Sequence, residues 1–169
     1  CGRRDQDSMS NMIRVGMADY RLCRPPQKIS TLGLGSCLGV ILYDQRLKIC
    51  GLAHVMMPSS QLIRKNANRM KFVDTCLKDM FEELLKQGSR KENMIAKMAG
   101  GAQMFVNQNA HNMLNIGQQN IQAVHELLAE WKIPLVAEDV GNNYGRTIEF
   151  DPATGELMIR TIGVGDTVI

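Results

Sequence analysis

The sequence predicts an α+β fold: mixed or antiparallel β-sheets layered with flanking helices, in a single domain. Three observations carry this. Short apolar runs bounded by turn residues recur along the chain, two longer segments show helical period, and the two kinds do not alternate as strict βαβ units. At 169 residues the chain fits one domain with a real core. No internal repeat, low-complexity stretch or linker divides it.

Residues 1–11, CGRRDQDSMSN, are polar and without pattern, and are expected to form a disordered extension in which Cys1 has no function. The folded domain is expected over 12–169. Ile13 to Met17 reads as a first strand and Tyr20 to Cys23 as a second extended piece, before Arg24-Pro25-Pro26 stops regular structure. Lys28 to Leu32 then feeds the segment STLGLGSCLGVILYDQRLKICGLAHVMMP. It has two apolar runs around a polar turn at Asp44 to Arg46, with a thiol, Cys37, on one arm and an imidazole, His54, on the other. This is the pattern of a β-hairpin. If Tyr43 pairs with Lys48, or Asp44 with Leu47, Cys37 falls directly opposite His54, with Cβ atoms about 4.5–5.5 Å apart. A three-residue turn would put the two on opposite faces.

Beyond Pro58 a polar loop runs to Asn68. Arg69 to Gln87 carries apolar residues at Val73, Leu77, Met80, Phe81, Leu84 and Leu85, a helix closed by Gly88. Asn93 to Ala99 reads as a buried strand entering Gly100-Gly101. Glycines beside Met104 and Phe105 suggest a bend exposing a contact surface, against the plainer expectation that both side chains are core. His111 sits in a polar loop and receives no role. Asn120 to Trp131 is a second helix, stopped by Pro134. Leu135 to Val140, Arg146 to Phe150 and Glu156 to Ile162 read as strands, the last two joined by a turn at Asp151-Pro152-Ala153-Thr154-Gly155, and the tail ends polar and short.

Composition excludes several function classes. Five cysteines are odd in number and form no C-x-x-C pair, so neither a disulfide framework nor a zinc site is expected. Histidines 54, 111 and 125 complete no ligand spacing, so no metal or other cofactor is predicted. A net charge of +3 with only 5% aromatic residues argues against nucleic acid as a partner. The cluster Arg64, Lys65, Arg69 and Lys71 could steer an acidic protein partner, or be a solvated loop and helix start. No run approaches the roughly 18 apolar residues of a membrane span, and no signal peptide heads the chain, so a cytoplasmic location is expected.

The chemistry suggested by the hairpin is acyl transfer. An imidazole within hydrogen-bond reach takes the thiol proton, and the sulfur attacks a carbonyl. Gly33, Gly35 and Gly39 let backbone approach a substrate closely, and the amides of Gly35, Ser36 and Cys37 are the candidate oxyanion hole. GLGSCL is not a dinucleotide fingerprint, because Leu38 fills the third glycine position and a strand follows. GSCLG is not a nucleophile elbow, which requires a helix there and a histidine last in the chain. From the residues alone, a hydrolase, a peptidase and a transglutaminase all remain open.

TLGLGSCLGVILYD followed by GLAHVMMP resembles the signature of the CheD family, bacterial chemoreceptor glutamine deamidases. The likeness extends through MIRVGMADY, GGAQMF, NIGQQN, GNNYGRTIEF and the Thr154-Gly155 pair, nearly the whole chain from Met12. The resemblance implies Cys37 as nucleophile, His54 as general base, and Thr31 as the hydroxyl residue that accompanies them. It implies that glutamine side chains on the cytoplasmic helices of chemoreceptors, the methyl-accepting chemotaxis proteins, become glutamates with release of ammonia. The protein would then meet the membrane only through the receptor. It also implies the phosphatase CheC as a partner, so that a mainly regulatory binding role stands as the alternative.

Overall fold

The computed structural model describes residues 11–60, 68–103 and 115–169. Ten strands and two α-helices are assigned there. In chain order the strands are β1 (Met12–Val15), β2 (Asp19–Cys23), β3 (Lys28–Leu34), β4 (Leu38–Asp44), β5 (Ile49–Val55), β6 (Met94–Gly100), β7 (Leu135–Val140), β8 (Arg146–Asp151), β9 (Glu156–Thr161) and β10 (Gly165–Val168). The helices are α1 (Val73–Lys86) and α2 (Ile116–Trp131). Two five-stranded mixed sheets result, ordered β1-β3-β8-β9-β10 and β2-β5-β4-β6-β7.

The layers are sheet, sheet, helices. All seven residues of β4 and all seven of β5 are buried, which is why both read as unbroken apolar runs instead of alternating ones. Leu38, Val40, Leu42, Ala53 and Val55 pack with Leu77 and Met80 of α1 and Val124 and Leu128 of α2. Ile41, Tyr43, Cys50 and Leu52 point the other way, into a second core with Ile29, Leu34, Ile148 and Phe150 of the opposing sheet. The α+β expectation of layered mixed sheets stands, with both helices on one side.

The hairpin register corrects the sequence reading. Asp44 pairs with Ile49, so Gly39, not Cys37, lies opposite His54. The cause is the buried Asp44, whose carboxylate accepts from the amides of Arg46 and Leu47 at 2.9 Å while its carbonyl accepts from Lys48 at 2.8 Å. Lys48 completes the turn at φ 55°. The four-residue turn therefore closes on the Asp44–Ile49 pair. The register moves by two residues along one strand, which keeps side chains on the same face.

Element ends also differ where caps decide them. The segment from Arg69 begins as a 3-10 turn, Arg69–Lys71, capped by the Asn68 side chain, and α1 starts only after the extended Phe72. Helix α2 starts at Ile116, four residues before the expected Asn120, because Asn115 caps it by accepting from the Gln118 amide. It ends at Lys132 in the left-handed conformation, ahead of Pro134. The polar tail pairs as β10 with β9.

Candidate active site

The two sheets meet over the open end of the β4–β5 hairpin. His54, 1% exposed, projects from β5 toward the opposing sheet, where its Nδ1 lies 2.7 Å from the Thr31 hydroxyl on β3. That hydroxyl donates its one proton to the Val15 carbonyl at 2.8 Å, so toward the ring it can only accept. Nδ1 therefore carries the imidazole proton, and Nε2 presents a lone pair. Nε2 is buried and has no hydrogen-bond partner among the described residues. Gly39 makes room for this arrangement: a Cβ there would lie 2.5 Å from Ile148 Cδ1 and 3.5 Å from Thr31 Cγ2.

Cys37 ends the loop between β3 and β4. It is half-buried and packs against the same inter-sheet core, which places it on the side of β4 that His54 faces. Its rung would be two pairs beyond Gly39–His54, past the last pair Leu38–Val55, which puts Cys37 diagonal to His54 on the same face. The loop is fixed through its carbonyls. Gly35 O accepts from Ala102 N at 2.8 Å, Cys37 O from Gly101 N at 2.9 Å, and Ser36 O from Asn120 Nδ2 at 3.0 Å. Gly100, at φ 111°, lies so close that a Cβ would sit 2.3 Å from Cys37 O. Burial pushes the Cys37 thiol above its ordinary value, opposed only in part by its own backbone amide. Burial alone lowers His54. Both effects favour the neutral forms of the thiol and the imidazole.

Two residues went unsingled in the sequence. Asn120 of α2 is fully buried and bridges Ser36 O and Met56 O. Arg146, also buried, donates to Gly100 O at 3.3 Å and Gly141 O at 2.9 Å, pairs with Asp139 at 3.2 Å and stacks on Tyr144. Its signal was its place in GNNYGRTIEF. Met104, Phe105, Arg64, Lys65, His111 and Cys1 lie outside the described residues. Arg69 is engaged by Asp79 at 2.8 Å, and His125 pairs with Glu138 on the surface. Among the described residues no group of histidine, cysteine and carboxylate side chains could hold a metal ion.

Fold and site together define a layered two-sheet protein with a hydroxyl-fixed imidazole between the sheets and a glycine-framed thiol loop on the same side of β4. Comparison with known proteins identifies the family. The family model described as CheD chemotactic sensory transduction matches residues 56–161. The chain is 48% identical over 162 residues to the chemoreceptor glutamine deamidase CheD of Halalkalibacterium halodurans, covering 95% of this chain and all of that one. It is 46% identical over 161 residues to the chemoreceptor glutamine deamidase CheD of Bacillus licheniformis, covering 95% and 96%. A probable chemoreceptor glutamine deamidase CheD of Lachnoclostridium phytofermentans is 48% identical over 155 residues, covering 92% and 96%. The chain belongs to the CheD family.

Proposed function

We propose that this chain is a chemoreceptor glutamine deamidase that uses Cys37 as nucleophile and His54 as general base, with Thr31 holding the imidazole. The observation that carries the mechanism is the Thr31–His54 hydrogen bond, because it leaves Nε2 as the acceptor on the face toward which the Cys37 loop packs. His54 Nε2 takes the thiol proton as the sulfur attacks the glutamine carboxamide carbon. The amides of Gly35, Ser36 and Cys37 are the proposed donors to the oxyanion. The imidazolium then protonates the leaving nitrogen, ammonia departs, and a thioester remains. Water attacks the thioester, giving up a proton to His54, and glutamate is released as the thiol is restored. Each turnover adds one negative charge to a receptor helix, which biases helix packing.

The chain is proposed to work in the cytoplasm on receptor helices, with CheC as a protein partner of the same surface region. Among the described residues no helix is long and apolar enough to cross a membrane. The test is mass spectrometry of a receptor cytoplasmic fragment incubated with the wild type or Cys37→Ala. Conversion of specific glutamines to glutamates by the wild type alone is expected. Backbone cleavage would indicate a peptidase, lysine cross-linking a transglutaminase, and no change with CheC still bound a regulator.

A further inference from the structure

We infer that Asn120 is the positioning residue that sets the thiol arm of the hairpin against the imidazole arm, an inference that rests on the proposed Cys37–His54 reaction. The β4–β5 ladder is regular from Asp44–Ile49 to Leu38–Val55 and then stops. Carried one rung further it would pair Cys37 with Met56. Instead the amides of Met56 and Met57 both donate to Lys71 O, at 2.7 and 2.9 Å, and the arms part. Asn120 fills the gap. Its Nδ2 donates to Ser36 O on one arm at 3.0 Å and to Met56 O on the other at 3.1 Å.

The chemistry calls for a short primary amide. Two carbonyls need two N–H donors from one point, which a carboxylate cannot supply and a hydroxyl supplies only once. The point itself is fixed. Gly117, one turn earlier on α2, lies so close to the β6 exit that a Cβ would sit 2.4 Å from Gly101 O and 2.7 Å from Ala102 O. Gly101 and Ala102 in turn donate to Cys37 O and Gly35 O. Helix α2, the glycine loop and the thiol loop form one unit, and Asn120 reaches from it to the arm that carries His54. A side chain that holds reacting groups within about 1 Å of their working positions controls rate on the order of a hundredfold without touching substrate.

The experiment compares wild type, Asn120→Leu, Asn120→Asp and Leu128→Ala, a core control on the same helix. Deamidation of the receptor fragment is split into kcat and KM, and Cys37 alkylation by iodoacetamide is followed across pH by peptide mapping. Asn120→Leu is expected to lower kcat by roughly tenfold or more with KM within about twofold, and to displace the Cys37 alkylation profile. Leu128→Ala, compared at matched fraction folded, is expected to keep both. Asn120→Asp regains one donor when protonated, so its kcat relative to wild type should recover as pH falls. Wild-type kcat and alkylation in Asn120→Leu, or equal losses in Leu128→Ala, would overturn the inference. If Asn120→Leu does not fold, a pH-independent ratio for Asn120→Asp overturns it. Alkylation reads the thiol loop without the reaction, so it decides the role of Asn120 even if Cys37→Ala retains deamidation and the catalytic proposal falls.

Discussion

Thr31 is the residue whose chemistry is most constrained. One hydroxyl proton, committed to Val15 O, dictates the tautomer of His54. Thr31→Val keeps the shape and removes the hydroxyl, leaving a buried carbonyl and a buried ring N–H unpaired. It should cost about 2 kcal/mol of stability and lower kcat on the order of a hundredfold, whereas Thr31→Ser should retain most of both. Denaturation and steady-state assays on the two variants check this. Burial moves the thiol up and the imidazole down, so each shift carries its own sign. A raised thiol means that Cys37 alkylation should still be climbing at pH 9, with no plateau near neutrality. A lowered imidazole stays an unprotonated base below pH 6.5, so the acid limb of deamidation should fall below that value. An alkylation plateau between pH 5 and 7, the mark of a resting ion pair, would contradict the neutral pair. Cys37 should still react faster than Cys23, Cys50 and Cys76, which are all buried, Cys76 with its thiol pushed up to about 12. Cys37, His54 and Thr31 were all nameable in the sequence, but Thr31 only through family resemblance. A threonine in a strand carries no local mark of the partner it meets across two sheets.

At the scale of elements, the hairpin was legible because glycine-rich and polar turns bound its apolar arms. Its register was not, because the turn is decided by where one buried carboxylate sends its hydrogen bonds. The start of α2 was missed for a similar reason: Asn115, Ile116 and Gly117 look like loop residues until the Asn115 cap is seen. Strand β10, GDTV, is exposed at every position and owes its place to pairing with β9, which no periodicity records. The glycine loop after β6 supplies a direct test of how elements hold the thiol. Gly100→Ala places a methyl against Cys37 O in a backbone region that side chains rarely adopt. It should destabilise the protein by about 3 kcal/mol and slow deamidation beyond what the unfolded fraction explains. Equal losses in stability and rate would mean that the loop holds the fold and not the thiol.

In the molecule as a whole, a doubly covered sheet carries His54 on its inner face, with the Cys37 loop at the end of β4, while the helices brace it from the other side. The fold class followed from apolar runs and helical periods, and the expectation of acyl transfer from the thiol–imidazole hairpin. The choice of glutamine over other carbonyls did not, since nothing in a cysteine–histidine pair names its acyl donor. Asn120 and Arg146 stayed hidden because each reaches a backbone carbonyl remote in sequence, Ser36 O and Met56 O for Asn120 and Gly100 O for Arg146. The central claim is that Cys37 forms a covalent thioester with a receptor glutamine. The measurement that reaches it most directly is peptide mapping of an acid-quenched reaction between the protein and a receptor fragment. The account predicts an adduct on Cys37 equal to the receptor peptide less one ammonia, absent in Cys37→Ala. Turnover of glutamine with no adduct on Cys37, and undiminished in Cys37→Ala, would contradict it.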